Sequence, residues 1–559
     1  MADNAKLVYV ALGGAGEIGM NMYLYGHGPA KSRRWIMVDC GVSFGDMDTS
    51  PGIDLVMPDI SFVEEIQDRL EAVFITHAHE DHVGALGRLW PKIRAPFISA
   101  PLFTAEVARR KMAECGQPAQ VVKTAKWDEP VEAGPFRVSF LRVTHSIPDP
   151  AMLLIETPAG KLVHTGDFKL DPDPIIGKPT DMARLKQIGD DGLLGLMCDS
   201  TNIFEDGESG GEQPLRPHLK RLIKGAKGAV AATTFASNVG RLKTLAEVAV
   251  ECGRSVVVAG RAMQRMIETA TETGALKGFP PTISDERARD VPAENLFYLV
   301  TGSQGEGRAA LARIATGSHP MVKLKKGDLV LFSSKTIPGN EKEVYRLYNL
   351  LSEQGVEVVD DDMEPIHVSG HGRRDEIGKV YAALRPRVAA PIHGEHRHLA
   401  EHAELAKGWG AKSIVAPNGT MVGLDLDPPR VLRHVETGRV YLDGEVLVGA
   451  LDGVIRARLK MARQGHVSVS LVIDESGELF ADPLVRVEGA PEVGRGGQNI
   501  ADTIADRVDA AIVSASKKEL RSDDRVAAMA ERVARRAAME VWGKKPVTCV
   551  LVTRLESEG

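Results

Sequence analysis

The sequence lacks the features of secreted and membrane-spanning proteins. Its five cysteines are an odd number without a CxxC pair, so neither a disulfide framework nor a thiolate zinc site is predicted. No run has the ~18 consecutive apolar residues that a membrane span requires, and the start MADNAKLVYVALGG does not have the pattern of a signal peptide. We therefore expect a cytoplasmic protein with reduced thiols and no membrane segment.

An excess of positive charge is also missing. The 559 residues include 69 Lys and Arg against 76 Asp and Glu, which gives a net charge of -7. A surface that coats nucleic acid nonspecifically is therefore not expected, and a polyanion would have to bind in a local groove. The 43% of hydrophobic residues are typical of a folded protein, and the length predicts about three or four domains.

The pattern of apolar runs changes along the chain and predicts a mixed α/β architecture. From Lys6 to about Glu205, short β-rich runs alternate with Gly and Pro turns, which indicates mostly strands. From about Gly228, apolar runs alternate with helical patterns, which predicts βαβ units and a parallel sheet. The tail after Gly465 is typical of a small α+β domain. The predicted divisions are 1–205, 206–364, 365–448, a linker at 449–464, and 465–559.

The segment THAHEDH, residues 76–82, is the sharpest chemical feature of the sequence. It follows the apolar run AVFI and precedes a helical pattern, so it is predicted to form a strand-to-helix turn. His77, His79, Asp81 and His82 offer imidazole and carboxylate groups, which are ligands that zinc and manganese prefer. A solvated polar loop is the alternative, and the crowding of these residues after a buried run disfavours it.

Further candidate ligands occur later, because four side chains cannot complete two metal shells. His145, Asp167 and His393 each follow a β-rich run. A single histidine at a strand end is more often structural than functional. The joint placement of these residues after strands favours their meeting the early histidine cluster.

A glycine-rich segment offers a competing interpretation. Gly14, Gly16 and Gly19 match GxGxxG after a strand, and Asp39 stands about where a dinucleotide-binding acid would be. The next residues alternate between strand patterns and a Gly-Pro turn, without the helix that would direct its dipole at a pyrophosphate. We therefore interpret the glycines as a tight turn between paired strands.

The segment HVSGHG, residues 367–372, predicts a phosphate pocket. A glycine lets the backbone approach an anion, while Ser369 and backbone N–H groups can donate hydrogen bonds. The imidazoles of His367 and His371 add switchable charge. The alternative is a loop with a core histidine.

Other polar and aromatic residues are candidates for contact with a polyanion. Ser237 follows a strand of the predicted parallel sheet, where such sheets bind ligands, although residues there also cap helices. The same applies to Asn238, Ser303, Ser333, Ser334 and Lys335. Phe44 in GVSFGD is predicted to stack on a base, with local packing as the alternative.

The arrangement HxHxDH, then His, Asp and a last His, resembles the metallo-β-lactamase superfamily. The resemblance implies two divalent ions, zinc before manganese or magnesium, that activate a water for attack. The implied ligands are His77, His79 and His145 for one ion, Asp81, His82 and His393 for the other, and Asp167 as the bridge. Flavodiiron-type relatives have Glu where His79 stands, so hydrolysis is favoured over oxygen reduction.

The later motifs resemble the β-CASP family of nucleases. Asp199 in CDSTN is similar to that family's first acidic motif, His371 to its second motif and His393 to its third. The strings GGAGEIG, HTGDFK, TTFASN, FSSKTIPGNE and PIHGE look closer still to the bacterial ribonuclease J family. The resemblance implies that residues 367–371 grip a nucleotide phosphate, including Val368 and Gly370. His371 is further expected to protonate the leaving oxygen, with Asp199 orienting or charging the imidazole, because departure of a ribose 3′-oxygen benefits from a general acid.

The resemblance implies a metallo-β-lactamase αββα sandwich, an inserted β-CASP parallel-sheet domain and a small α+β C-terminal domain. The implied function is metal-dependent 5′-to-3′ exoribonuclease activity with endonuclease activity on single-stranded RNA, preferring a 5′-monophosphate, in mRNA decay and rRNA maturation. A homodimer or homotetramer and partners in RNA decay are also implied. A DNA-directed β-CASP nuclease and a catalytically silent RNA-binding assembly factor are the alternatives.

Overall fold

A computed structural model describes residues 4–555 of the chain. These residues divide into two compact units. The first contains the residues up to Ser43 and Met57–Arg439, and the second contains Phe44–Val56 and the residues from Val440 onwards. In the described part of the chain, no helix has both the length and the apolar character needed to cross a membrane.

Much of the first unit is a sandwich of mixed sheets with helices on the outer faces. Tyr9 and Phe74 from one sheet and Phe140 and Leu153 from the other belong to the same buried apolar cluster. Strands such as Leu7–Gly13 are buried along their whole length, as expected when one face packs on the facing sheet and the other is covered. This layered arrangement confirms the predicted αββα sandwich.

The two sheets of the sandwich are built from strands that are distant in sequence. Across the first sheet the order is Arg430–His434, Thr420–Gly423, Leu7–Gly13, Met22–His27, Arg34–Val38, Leu70–Phe74, Ile98–Ala100 and Val122–Thr124. Across the second the order is Val131–Ala133, Phe136–Arg142, Ala151–Thr157, Gly160–His164, Gly195–Asp199, Val388–Ile392 and Lys412–Ser413. The helices of this part are Ser61–Ile66, Glu80–Val83, Leu86–Ile93, Leu102–Glu114, Met182–Asp190, Arg374–Leu384 and His396–Gly408.

A parallel sheet with helices on both faces is inserted between the two segments of the sandwich, as the βαβ pattern predicts. Its strand order is Thr282–Ile283, Ser255–Ala259, Leu296–Val300, Val230–Thr233, Leu329–Phe332 and Glu357–Val359. Separate apolar clusters cover its two faces. The helices are Leu215–Gly225, Val239–Glu251, Arg261–Glu272, Ala310–Ala315 and Glu341–Glu353.

The glycine-rich segment forms a turn between strands. The short strand Ala15–Gly16 pairs with Gly394–Glu395, and the next element is the strand Met22–His27. No helix follows the glycines before Ser61 in the described residues, so the arrangement needed to bind a pyrophosphate at a helix end is missing here.

The second unit has a small sheet packed against helices. Its central strand His466–Ile473 pairs antiparallel with Leu484–Glu488 and parallel with Val547–Arg554. Alternate residues of the central strand are buried against Ile500–Val513 and Asp523–Val541, which is the period of a sheet covered on one face. The remaining helices are Val454–Gln464, inside the interval interpreted as a linker, and Lys517–Leu520.

Candidate metal centre and phosphate pocket

The HxHxDH segment spans the turn after the strand Leu70–Phe74 and the first residues of the helix Glu80–Val83. A neighbouring loop holds this turn through the backbone. Cys40 N–H donates to the carbonyl of His82 at 2.7 Å, and Val42 N–H donates to that of Glu80 at 3.0 Å. These hydrogen bonds fix the path of the turn, so its side chains have defined directions.

All seven predicted ligands meet at this turn. Within residues 4–555, three overlapping groups of His and Asp have ligand atoms within 4.8 Å of one another. The groups are His77, His79, His145 and Asp167; Asp81, His82, Asp167 and His393; and Asp167, Asp199, His371 and His393. Asp167 is common to all three, which is the position that a bridging ligand would have.

The donor set fits divalent cations. His79 Nδ1 lies 3.1 Å from His77 Nε2 and 3.0 Å from His145 Nε2, so three ring nitrogens point at a small common volume. Asp167 Oδ1 is buried and has no hydrogen-bond partner among the described residues, which is costly unless something else neutralises it. Imidazole nitrogens around a carboxylate are a typical zinc or manganese environment.

The second group is built around Asp81. His393 Nε2 lies 3.2 Å from Asp81 Oδ2, and His82 Nε2 lies 3.5 Å from the same oxygen. His393 has a left-handed backbone with φ 51°, and its N–H donates to the Gly14 carbonyl at 2.7 Å. The glycine-rich turn thus helps to aim the last histidine at the centre.

The far nitrogens of the candidate ligands His82 and His393 have their own partners, as is usual for metal-binding histidines. Asp39 Oδ2 lies 2.7 Å from His82 Nδ1, and Thr201 Oγ1 lies 2.8 Å from His393 Nδ1. Sequence reasoning considered Asp39 only for the rejected dinucleotide interpretation and did not identify Thr201 as functional. The position of Asp39 directly after a buried strand was the available signal.

Burial and mutual repulsion favour neutral imidazoles in the first group. Burial lowers the pKa of His79 to about 4. Burial and the neighbouring His82 hold the pKa of His77 well below its ordinary value. Burial opposes the charged form of Asp81, but the imidazoles of His82 and His393 outweigh it and keep that pKa well below the usual range. The neutral imidazoles of the first group are in the protonation state that binds a cation. Burial opposes the charged forms of His82 and His393, but Asp167 and Asp81 outweigh it and raise both pKa values, so these two rings must release a proton when a cation binds.

The segment 367–372, predicted to bind phosphate, lies directly against the candidate metal ligands. His145 Nδ1 lies 2.6 Å from the Gly370 carbonyl. A Cβ on Gly370 would lie 2.7 Å from His145 Cε1, so only glycine fits this approach. The predicted pocket and the predicted metal centre are therefore adjacent.

Ser369 has the hydrogen-bonding capacity of an anion-binding residue. Its Oγ accepts hydrogen bonds from Asn202 Nδ2 at 2.9 Å and from the His371 N–H at 3.1 Å. Since both contacts use its lone pairs, its hydroxyl hydrogen remains available to donate. Val368 is buried in the apolar core, so it can offer only its backbone.

His371 is oriented by a carboxylate. Its Nδ1 lies 2.8 Å from Asp199 Oδ2, and its Nε2 lies 3.9 Å from Asp167 Oδ2. Burial lowers the pKa of His371, but Asp199 and Asp167 outweigh it and raise that pKa to about 9. The ring thus presents Nε2 toward the metal ligands.

A buried arginine supports the other histidine of the motif. The Arg241 guanidinium pairs with the Glu212 carboxylate at 2.7 Å and donates to the Ile366 carbonyl at 3.1 Å. It also lies 3.3 Å from His367 Nδ1. Burial and this guanidinium hold the pKa of His367 well below its ordinary value.

The polar and aromatic candidates for contact with a polyanion are not members of the three His/Asp groups. Ser237 is half-buried just before the helix Val239–Glu251, and Asn238 caps that helix by accepting from the Arg241 N–H at 3.0 Å. Phe44 belongs to the second unit, and 66% of its surface is exposed. Ser333 hydrogen-bonds to Arg241, which is a structural contact.

Profiles of known protein families match most of the chain. Family profiles match in succession: the metallo-beta-lactamase superfamily over residues 16–219 and the ribonuclease J beta-CASP domain over 227–351. The Zn-dependent metallo-hydrolase RNA specificity domain matches 355–417, and the ribonuclease J C-terminal domain matches 453–555.

Relatives match over nearly the full length. Ribonuclease J of Sinorhizobium meliloti is 41% identical over 557 residues, which are 99% of this chain and 98% of that protein. Ribonuclease J of Corynebacterium glutamicum is 39% identical over 497 residues, which are 88% of this chain and 68% of that protein. A crystal structure of a protein of unknown function from Enterococcus faecalis V583 has a TM-score of 0.50 at 17% identity. It covers 77% of this chain and all of that one, and the likeness concerns the fold alone.

The sandwich, the inserted parallel sheet and the His/Asp cluster define a metallo-β-lactamase-type hydrolase of the β-CASP class, which acts on phosphodiester bonds. The 41% identity over nearly the full length identifies a particular family within this class. The chain belongs to the ribonuclease J family. Membership of this family, together with the RNA specificity domain, supports RNA binding, and the superfamily with its buried cluster supports binding of divalent metal.

Proposed function

We propose that this protein is a 5′-to-3′ exoribonuclease with endoribonuclease activity, that it prefers RNA with a 5′-monophosphate, and that it acts in mRNA decay and rRNA maturation. The observation that carries the proposal is the 2.6 Å contact between His145 Nδ1 and the Gly370 carbonyl. This contact supports the proposal because the proposed phosphate segment then lies beside the proposed metal cluster, as cutting one phosphodiester while gripping the next phosphate requires.

The proposed metal ligands are those implied by the sequence, with two ions per chain. His77, His79 and His145 would hold the first ion, Asp81, His82 and His393 would hold the second, and Asp167, which is common to both groups, would be shared between them. When bound, divalent cations polarise phosphoryl oxygens and lower the pKa of a coordinated water. Zinc is the proposed ion, with manganese or magnesium as alternatives.

The chain's own residues bind and orient the RNA. Ser369 donates its hydroxyl to a phosphate, supported by its contacts with Asn202 and the His371 N–H. Backbone groups of Val368 and Gly370 and the imidazole of His367 complete the pocket. Ser237 and Phe44 remain proposed RNA contacts on the sequence argument alone.

His371 is the proposed general acid and Asp199 its orienting carboxylate. Because Asp199 Oδ2 accepts from Nδ1 at 2.8 Å, Nε2 is left free to give a proton to the departing ribose 3′-oxygen. The Asp199 N–H and side chain are themselves fixed by Thr165 and Thr201. The position of the imidazole therefore does not depend on the substrate.

The domain divisions, the assembly and the location of the protein are part of the proposal. The proposed divisions are 1–205, 206–364, 365–448, 449–464 and 465–559. We propose a homodimer or homotetramer, which light scattering coupled to size exclusion tests directly. The described cysteines are unpaired, which accords with a cytoplasmic location, where thiols stay reduced.

Product analysis tests the proposed activity. RNA labelled at the 5′ end, bearing either a monophosphate or a triphosphate, is digested by the metal-loaded protein. We expect mononucleotides from the monophosphorylated substrate, internal fragments from the other, and loss of both after chelation. Equal rates on single-stranded DNA would favour the DNA-directed alternative, and RNA binding without cleavage would favour the assembly factor.

A further inference from the structure

The glycine-rich turn leads into a buried side chain that the proposed mechanism does not use. Asn21 follows this turn and is completely buried. We propose that Asn21 is a positioning residue for Asp81, an inference that rests on the proposed metal centre. Its amide holds the Asp81 carboxylate in the orientation in which it binds the second ion.

Asn21 contacts both the backbone and the side chain of Asp81. Its Nδ2 lies 3.0 Å from the Asp81 carbonyl oxygen and 3.2 Å from Asp81 Oδ2. The Asn21 backbone N–H donates to the same carbonyl at 2.9 Å. Nδ2 also lies 3.0 Å from His82 Nε2. One side chain therefore contacts two of the three terminal ligands proposed for the second ion.

The orientation of the amide is fixed by its partners. The Asp81 carbonyl and carboxylate only accept hydrogen bonds, so the atom that faces them must be the NH₂ group. Tyr23 O–H donates to Asn21 Oδ1 at 2.6 Å, which locks the opposite side. A flipped amide would put an oxygen against two acceptors and is excluded.

Two glycines provide the space for this arrangement. A Cβ on Gly14, which has φ 82°, would lie 2.2 Å from Asn21 Oδ1 and 2.3 Å from the Tyr23 hydroxyl. A Cβ on Gly41 would lie 1.6 Å from the Asp81 carbonyl oxygen. Both positions exclude any larger residue because the clashing atoms belong to the Asn21–Asp81 contact or its support.

Asp81 needs such support more than the other members of its group. Its side chain is 31% exposed, whereas those of His82, Asp167 and His393 are nearly completely buried. Packing therefore does not prevent the carboxylate from rotating toward water. The Asn21 amide supplies the constraint. Among the described residues its hydrogen bonds go to Asp81, His82 and Tyr23 and not to the His77, His79 and His145 rings, so its removal should weaken binding of the second ion selectively.

Retention of metal against a chelator tests the inference on the full-length protein. The protein is loaded with zinc and dialysed against increasing nitrilotriacetate, and the zinc per chain is measured by mass spectrometry. For Asn21→Leu and for the nearly isosteric Tyr23→Phe, we expect one ion to be lost at about 10- to 100-fold lower chelator concentration, as for other supports of metal ligands. The other ion should be retained as in the wild type.

Tyr9→Phe is the matched control. Tyr9 belongs to the same aromatic cluster, with its ring centroid 6.3 Å from that of Tyr23, and its hydroxyl has no partner among the described residues. It should retain both ions like the wild type. Cobalt absorption spectra of the loaded proteins give a second readout, because a changed coordination of one ion alters only part of the spectrum.

Each outcome decides the inference. Wild-type retention in both variants would overturn it, and so would equal loss of both ions. If Asn21→Leu does not fold, Tyr23→Phe decides alone. Asp81→Ala separates this test from the proposed function. If that variant also keeps two ions, the assignment of the metal centre itself is wrong. Selective loss in Asp81→Ala with full retention in every folded variant of Asn21 and Tyr23 contradicts only the role of Asn21.

Discussion

At the scale of single residues, the site depends on groups that are expensive to bury without a partner. Asp167 Oδ1 is buried without a hydrogen-bond partner among the described residues, with His393 Nε2 3.6 Å away, and the three imidazoles of the first group are kept neutral by burial. These features are costs for the fold in the absence of a cation. The same residues that would bind metal therefore make the stability of the protein sensitive to its presence.

Asp81→Ala is expected to reduce RNA cleavage by about 10³-fold or more, because one ligand of the second ion is lost. The fold should persist, since the side chain is partly exposed. Initial rates on 5′-labelled RNA and far-ultraviolet circular dichroism measure the two effects. Asp206→Ala removes a carboxylate that is 85% exposed and should leave the rate unchanged; a normal rate in Asp81→Ala would refute the ligand assignment.

Ser369→Ala is expected to raise the KM for 5′-monophosphorylated RNA by about tenfold, the effect of losing one hydrogen bond to a charged group. The zinc content should stay the same because Ser369 is outside the ligand groups. Steady-state kinetics beside metal analysis test this. A variant that loses metal instead would show that Ser369 acts on the centre rather than on the phosphate.

At the scale of elements, loops rather than helices or strands bring the two halves of the site together. The segment 367–372 approaches the end of the strand Phe136–Arg142 so closely that the Gly370 carbonyl contacts His145. The glycine-rich turn contacts His393 from the other side. Each approach uses a glycine, because an added Cβ would clash with side chains: that of His145 at Gly370, and those of Asn21 and Tyr23 at Gly14.

Gly370→Ala is expected to displace the phosphate segment from His145, since the added Cβ would lie 2.7 Å from Cε1 of that ring and 2.8 Å from Ser146 Oγ. RNA cleavage should fall by about 10²-fold. Gly225→Ala, at a helix end with no atom within 4 Å of the added Cβ, is the control. Equal activities of the two variants would show that Gly370 does not lie this close to His145 in solution.

At the scale of the whole molecule, the stability of the fold is coupled to pH through buried histidines. His402 contacts Ser200 Oγ at 2.9 Å and the Tyr381 hydroxyl at 3.1 Å. Burial lowers the pKa of His402 from 6.5 to about 3. Below pH ~6.5 His402 is therefore protonated in the unfolded chain but stays neutral in the folded chain. The free energy of unfolding consequently decreases as the pH falls toward 3.

His402→Gln tests this coupling. The cost of keeping His402 neutral is about 3 kcal/mol at pH 4 and nearly absent at pH 7. The advantage of the wild type in Tm over the variant should thus shrink as the pH falls from 7 to 4. His434→Gln changes an exposed histidine and should show no such trend. A Tm difference between wild type and His402→Gln that stays constant from pH 7 to pH 4 would mean that protonation of His402 does not affect folding.

The αββα sandwich was implied by the resemblance to a known superfamily. The sequence by itself determined the strand and helix patterns and the ligand types, because periodicity and residue chemistry are local. It predicted the parallel sheet after Gly228 and the seven candidate ligands, which the structure brings together. The tertiary structure decided what supports those ligands. Asp39, Thr201 and Asn21 act through contacts between segments far apart in sequence, and a single sequence carries no signal for a hydrogen bond that forms only when distant strands pack side by side.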